Sequence, residues 1–498
     1  MTVLAPLAPL RAHAGQRLTT GLDDASIERL SAHHPDLGAA IAAAATEYAR
    51  VHEAAADLLD LDEAAQIQAL QAGYVNFYAD DAVTPYVALA ARGPWVVTLK
   101  GAVLYDAGGY GMLGFGHAPA AVLEALARPQ VMANIMTPAL AQRRFASALR
   151  KEVGHTRGGC PFERFMCLNS GSEAVGLAAR IVDINAKLQT DPGAAHAGAS
   201  IKRLVVKGSF HGRTDRPALY SDSSRGTYDK YLASYRGENS VITIAPYDVA
   251  ALRQAFADAQ AKGWFIEAVF LEPVMGEGDP GRSVPVEFYN AARELTRTHG
   301  SLLLVDSIQA GLRAHGVLSL VDYPGFEGVE PPDMETYSKA LNAAQFPLSV
   351  LAVTAHAAAL YRKGVYGNTM TTNPRALDVA CATLGLLTPM VRTNIRSRGV
   401  QAVQKLEQLK AELGGAITRV QGTGLLFSCE LSPDYKCYGN GSTEEWLRMH
   451  GVNVIHGGEN SLRFTPHFGM DDQELDLLVA MVGRALREGP RRTRSQAA

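Results

Sequence analysis

A lysine and an aspartate stand 33 residues apart, each just past a short strand-like run. Leu302–Val305 ends in Asp306-Ser307-Ile308-Gln309, and Met334-Glu335-Thr336-Tyr337 leads into Ser338-Lys339. In an open α/β sheet, ligands bind in the crevice beyond the carboxyl ends of the strands. A carboxylate there is poorly solvated and needs a donor or a cation. An amine there is rare, because lysine is almost never buried unpaired. Taken singly, each has a plain explanation: a turn-capping aspartate and a surface lysine. A third run, Phe165–Leu168, is followed by Asn169-Ser170-Gly171-Ser172-Glu173-Ala174 and then by helical sequence. Backbone N–H groups of Gly171 and Ser172 at a helix start would make an anion site. The alternative is an ordinary N-cap with Glu173 in the first turn. Gly109-Tyr110-Gly111-Met112-Leu113-Gly114 matches the dinucleotide fingerprint G-x-G-x-x-G. Its helix starts too late, near Pro119, and no acid ends a second strand about 20 residues on, so that reading is set aside.

The elements that must position these groups follow from pattern. Residues 21 to 75 read as helical, with Ala39–Ala45 and Ala54–Leu61 among the alanine-rich stretches. Trp95–Leu99 and Ala102–Tyr105 read as strands joined at Lys100-Gly101. Short apolar runs then recur at Phe165–Leu168, Leu204–Val206, Val241–Ile244, Ala268–Leu271, Leu302–Val305 and Leu348–Val353. Helical stretches such as Ser172–Leu188, Val249–Lys262 and Val286–Thr298 lie between them. That alternation indicates a mostly parallel sheet buried on both faces. The 33 residues from Asp306 to Lys339 leave room for a helical crossover, which would open both groups onto one crevice. From about Met390 the rhythm becomes that of a smaller α+β unit. Met1–Thr20 reads as a frayed terminus and the stretch after Gly489 as a disordered tail.

Composition narrows the function class. Of 498 residues, 47% are hydrophobic and 19% charged, enough for large cores and unlike a disordered chain. With 47 basic and 50 acidic side chains the formal charge is −3, which argues against a nucleic-acid partner. No uncharged apolar run is long enough to span a membrane. Five cysteines, Cys160, Cys167, Cys381, Cys429 and Cys437, are irregularly spaced without zinc-binding pairs. No metal site is expected, and a cytoplasmic location fits best.

An anion cradle, a strand-end aspartate and a crevice lysine are together the parts that hold pyridoxal 5'-phosphate. The chain resembles the class-III pyridoxal-phosphate aminotransferases of fold type I, which include ornithine, acetylornithine and 4-aminobutyrate aminotransferases. The resemblance spans about residues 85–485. It rests on Asp106 to Gly116-His117, Asn169-Ser-Gly-Ser-Glu-Ala174, Phe210-His211-Gly212-Arg213-Thr214, Glu272-Pro-Val-Met-Gly-Glu277, Asp306-Ser-Ile-Gln309, Ser338-Lys339-Ala340, Thr369 to Asn373-Pro374, and Gly422-Thr-Gly424. No single motif is specific, whereas the ordered set is.

The resemblance implies a large domain with a seven-stranded, mostly parallel sheet between helices, plus a smaller α+β domain. The expected division is a helical extension (1–80), the first part of the small domain (81–130), the large cofactor domain (131–390), the rest of the small domain (391–490) and a disordered tail (491–498). Lys339 would be the Schiff-base lysine and proton shuttle, Asp306 the partner of the pyridine nitrogen, and Gln309 a neighbour of the phenolic oxygen. Phe210 would stack on the ring, and Gly171 and Ser172 would hold the phosphate, joined by Thr369 of the other subunit of a homodimer. Glu277 and Arg463 would form a carboxylate gate. The implied reaction moves an amino group from an amine or amino acid, one with a distal amino group, to a keto acid. An epimerase, racemase or lyase on the same fold is the alternative. The chain departs from the usual pattern at Ser307 (commonly Glu), Met275 (commonly Gln), Thr371-Thr372 (commonly Gly-Gly) and Gln345-Phe346.

Overall fold

The computed structural model describes residues 2–109, 111–237 and 239–492. The chain divides into two compact units: Ala121–Arg396, and the residues up to Ala120 together with those from Ser397 on. Of the expected tail, Arg492 donates its N–H to Asp434 O, and residues 493–498 lie outside the described residues.

The unit from Ala121 to Arg396 is built on seven strands. In chain order they are β1 (Arg164–Leu168), β2 (Ser200–Val206), β3 (Val241–Ile244), β4 (Trp264–Leu271), β5 (Leu302–Asp306), β6 (Met334–Tyr337) and β7 (Ser349–Val353). Their spatial order is β1-β7-β6-β5-β4-β2-β3. All neighbours are parallel except β7, which runs antiparallel to both β1 and β6. The sheet is thus the expected mostly parallel one of seven strands.

Its central strands are buried, and β5 is wholly apolar up to its last residue, because helices cover the sheet. Helix α1 (Gly171–Thr190) lays Ala174, Val175, Ala178, Ile181 and Val182 on Leu304, Met334 and Leu351 of the sheet. Small residues at positions 174 and 178 let the helix approach closely, and each buried Leu or Ile contributes roughly 1.5–3 kcal/mol. Its start is set by a capping box: Ser170 Oγ accepts from Glu173 N at 3.3 Å, and Glu173 Oε2 accepts from Ser170 N at 3.3 Å and Asn169 N at 2.7 Å. Helices α2 (Val249–Ala261) and α3 (Val286–His299) match the other two expected helices closely.

The connection from β5 to β6 corrects one expectation. Between 307 and 333 there is no α-helix, only a 3-10 turn at Leu320–Asp322. Gly311, Gly316, Pro324, Gly325, Gly328, Pro331 and Pro332 interrupt any helical run there. The buried loop is held by side chains instead: Asp322 accepts from Gly154 N, Thr156 N and Thr156 Oγ1 at 2.7–2.9 Å.

The other unit holds two four-stranded sheets. One joins Ala88–Arg92, Trp95–Thr98 and Val103–Asp106 to Val452–Asn453, and the other orders Ile417–Thr423, Leu426–Leu431, Ser461–Phe464 and Ile455–Gly457. The two strands at 452–457 have two and three residues, too few to show a period in sequence. Asp106 is tied to His117 Nε2 at 3.0 Å. Met1 lies outside the described residues, and the segment that follows it is not frayed. Leu7, Leu10 and Thr19 are buried, and Lys100 Nζ donates to Ala14 O at 2.9 Å and Leu59 O at 3.3 Å. Glu63 Oε2 accepts from the N–H groups of Leu18 and Thr19, both at 2.8 Å. A buried ammonium and a buried carboxylate each need such partners, so they fix the segment that supplies them.

Candidate active site

Asp306 is the last residue of β5 and only 4% exposed. Register pairs it with Thr336 on β6, whose Oγ1 donates to Asp306 Oδ1 at 2.9 Å. Ile308 N donates to the same oxygen at 3.2 Å. The other oxygen, Oδ2, lies 2.9 Å from His211 Nδ1. A carboxylate only accepts, so Nδ1 carries the proton of that bond. His211 is itself buried, its ring edge-on to Phe270 at 5.8 Å, and its Nε2 has no hydrogen-bond partner among the described residues.

Lys339 begins the 3-10 turn that follows β6, three residues past Thr336. It is half-buried and has φ 48°, a left-handed conformation that costs a non-glycine residue about 1–3 kcal/mol. Ser338 Oγ and Asn342 Nδ2 both donate to Leu348 O, at 2.8 and 3.1 Å, and clamp the turn on either side of the lysine.

The Phe210–Gly212 segment closes on the start of α1. Gly212 has φ 111°, and a Cβ there would lie 2.5 Å from Ser172 Oγ. A Cβ on Gly171 would meet Ile308 Cδ1 at 2.8 Å, so the helix start abuts the residues after Asp306. The helix's own ladder cannot use the N–H groups of Gly171 and Ser172, which therefore suit an anion. Phe210 is half-buried, with the Arg213 guanidinium 5.4 Å from its ring centroid.

Glu272 ties this segment to the next one. Its Oε1 accepts from Phe210 N at 3.0 Å and its Oε2 from Gly276 N at 2.9 Å. Burial pushes its pKa up to about 7; His211 opposes the shift and Asp306 adds to it. A Cβ on Gly276 would lie 2.2 Å from Gln309 Cδ, so only glycine lets this loop reach Gln309. Glu277 follows, half-buried.

The strand ends thus bring Gly171, Ser172, Phe210, Asp306, Gln309 and Lys339 together within one unit. Thr369 is exposed, its carbonyl accepts from Asn134 Nδ2 at 3.1 Å, it lines a broad cavity of about 1340 Å3, and its neighbour Asn368 donates to Glu173 Oε1 in the first turn of α1 at 2.6 Å. Thr371 and Thr372 line the same cavity, whose walls do not include Asp306, Phe210, Gln309 or Lys339. Arg463 is buried in the other unit, on Ser461–Phe464. Sequence reasoning passed over His211, Glu272 and Thr336 as site groups. His211 and Glu272 were visible only as motif members, because Asp306 lies 95 residues from His211 and Phe210 lies 62 residues from Glu272.

Pyridoxal phosphate needs a phosphate cradle, an anionic partner for its ring nitrogen and an amine. The N–H groups at the start of α1, which the Phe210–Gly212 segment can approach closely only because residue 212 is glycine, and an Asp306 already supported by three donors, fit that group. Comparison with known proteins agrees. The class-III aminotransferase family model matches residues 77–486. Acetylornithine aminotransferase of Neisseria meningitidis is 30% identical over 407 residues, covering 79% of this chain and 92% of that protein. The acetylornithine/succinyldiaminopimelate aminotransferase of Yersinia pestis is 28% identical, covering 80% of this chain and 93% of that protein. The crystal structure of the ornithine aminotransferase from Toxoplasma gondii ME49 superposes with TM-score 0.72 at 25% identity, covering 88% of this chain and 98% of that one. These findings do not favour the epimerase, racemase or lyase alternative. The chain belongs to the class-III aminotransferases and is a pyridoxal-phosphate-dependent enzyme that transfers amino groups.

Proposed function

We propose that this aminotransferase takes its amino group from a substrate bearing a distal primary amine and passes it to a keto acid, with Lys339 and Asp306 carrying the chemistry. The observation behind the residue assignment is the β5–β6 pairing, which puts a three-donor Asp306 beside the strand that ends in Lys339. The distal-amine reading is supported by the relatives, whose names specify acetylornithine, ornithine or succinyldiaminopimelate.

The cofactor, when bound, supplies an electron sink for the negative charge that develops at the substrate carbon. Gly171 and Ser172 hold its phosphate at the start of α1. Asp306 keeps a proton on the ring nitrogen, and His211 and Thr336 fix the carboxylate that does so. Phe210 covers one ring face and excludes water there, and Gln309 approaches the phenolic oxygen. Lys339 Nζ moves the proton away from the substrate carbon and returns it to the carbon that receives it. Arg463 holds the α-carboxylate of the keto acid or its amino-acid product through two parallel hydrogen bonds, and Glu277 serves the substrate that presents its distal amine. The active form is a homodimer, with Thr369 completing the partner's phosphate site. A cytoplasmic setting agrees with five free cysteines and with the lack, among the described residues, of a helix long and apolar enough to cross a membrane.

Half-reactions test the substrate reading. Ornithine, N-acetylornithine and 4-aminobutyrate are offered as donors, and 2-oxoglutarate and pyruvate as acceptors. A distal-amine donor should react fastest; a clear preference for α-amino donors would overturn the reading. Arg463→Ala should weaken only the half-reaction of the α-carboxylate substrate, whereas Glu277→Ala should harm only that of the distal amine. Equal losses in both halves would make these two residues structural.

A further inference from the structure

Glu335 is a carboxylate set in the middle of the central sheet. It lies on β6, paired across the strands with Val305 on β5 and Ala352 on β7, and is 0% exposed. Such a group is costly unless its oxygens are fully satisfied, and here they are. Oε1 accepts from Ser307 Oγ at 2.6 Å and Leu320 N at 2.9 Å; Oε2 accepts from Ser319 Oγ at 2.5 Å and Tyr337 OH at 2.9 Å. Burial nevertheless pushes its pKa up to about 7 against these four donors.

The positions of the donors in the chain matter more than their number. Ser307 directly follows Asp306, Tyr337 is two residues before Lys339, and Ser319 with Leu320 belongs to the helix-free loop that joins the two strands. Side chains alternate along a strand, so Glu335 faces away from Thr336 and the Asp306 that Thr336 binds. One carboxylate therefore gathers, from behind the sheet, both strand ends and the loop between them.

We propose that Glu335 is a positioning residue for amino transfer, fixing the strand ends that carry Asp306 and Lys339 so that both meet the cofactor in one geometry. The inference rests on the roles proposed above for Asp306 and Lys339. Misplacement of a reacting group by about 1 Å, caused from a distance, can cost roughly 10²-fold in rate, so a brace of this kind matters to turnover.

Two variants separate positioning from bulk stability. Glu335→Gln keeps the shape but has one acceptor oxygen for four donors. Ser307→Ala cuts only the link to the residue after Asp306 and leaves three donors in place. Both should lower kcat, by roughly ten-fold or more for Glu335→Gln, with KM within about two-fold. Both should shift the pH midpoint of the bound cofactor's visible band. In the cofactor-free enzyme, amide exchange should quicken at 306–309 and 337–340. If Glu335→Gln does not fold, Ser307→Ala decides by the same readouts. A rescue completes the test: Ser307 Oγ is 2.6 Å from the carboxylate, so a glutamate at 307 places its own carboxylate there. Ser307→Glu combined with Glu335→Leu should recover most of the turnover and the spectral midpoint that Glu335→Leu alone loses. Variants that melt lower but keep kcat and midpoint, or a double variant no better than Glu335→Leu, would overturn the inference. Lys339→Ala and Asp306→Asn run in parallel: full activity in either overturns the site reading and this inference with it, whereas failure confined to the 335 and 307 variants overturns this inference alone.

Discussion

His211 and Asp306, 95 residues apart in the chain, form a buried pair in which ring Nδ1 lies 2.9 Å from carboxylate Oδ2. The pair joins the Phe210–Gly212 segment to the end of β5, so Phe210 and the group that supports Asp306 come from one loop. Glu272 extends this arrangement, because it binds Phe210 N on one side and Gly276 N on the other.

Removing the charge of Asp306 should act on chemistry rather than on folding. In Asp306→Asn the donors from Thr336 and Ile308 still find an amide oxygen, while the ring nitrogen loses its anion. We expect kcat to fall by at least about 10²-fold, the cost of one preorganised electrostatic contact. His211→Phe should cost less, since Thr336 Oγ1 and Ile308 N continue to hold the carboxylate. Turnover measured at saturating cofactor checks both, and near-normal turnover in Asp306→Asn would refute its assignment.

Lys339 should be the one lysine that carries the cofactor covalently. Borohydride treatment followed by peptide mass analysis should locate the label at Lys339, and Lys339→Ala should lose both label and turnover. The variant should keep measurable cofactor affinity, because the phosphate site proposed at Gly171 and Ser172 is separate from the amine. A label on any other lysine in Lys339→Ala would contradict the assignment.

The parts of this site legible in sequence were those whose chemistry is local. Asp306 and Gly171-Ser172 each follow a continuous apolar run, Lys339 follows the short strand-like Met334–Tyr337, and those boundaries fell within a residue or two of the observed ones. What stayed hidden depends on pairing. The antiparallel β7 is an apolar run like Leu302–Val305 of the parallel β5, so nothing in Leu348–Val353 signals its direction. The loop from 307 to 333 holds its shape without an α-helix because Glu335 accepts from its Ser307 Oγ, Ser319 Oγ and Leu320 N, and because its own Asp322 accepts from Thr156 N, 166 residues away. The anchored N-terminal segment depends in the same way on Lys100 and Glu63.

Subunit exchange tests the role of Thr369. If Thr369 completes the partner's phosphate site, a mixed dimer of Lys339→Ala and Thr369→Ala chains contains one site with both lesions and one with none. Mixing the two weakly active homodimers at limiting cofactor should then restore activity. If Thr369 serves its own subunit, or the enzyme works as a monomer, every mixed site carries a lesion and no recovery follows.

The last prediction concerns pH. Glu272 ionises near its ordinary 4.5 when unfolded, but burial raises its folded pKa to about 7. Between those values the folded state holds a proton that the unfolded state has released, so stability falls as pH rises through the window. Above about pH 7 both states are ionised and the loss is complete, on the order of 3 kcal/mol for this one group. Glu272→Gln cannot ionise and escapes the loss, although it forfeits part of the acceptance from Phe210 N and Gly276 N. Relative to wild type, the variant should be clearly less stable at pH 5 and should gain ground steadily up to about pH 7.5. Glu335, raised to about the same value, contributes a second slope of the same sign that Glu272→Gln leaves intact. Because Asp306 is one cause of the raised value, Asp306→Asn should move the Glu272 step to lower pH. Denaturant midpoints across pH 5 to 8 measure all three chains, and a stability difference between wild type and Glu272→Gln that stays constant over that range would show that Glu272 does not titrate there.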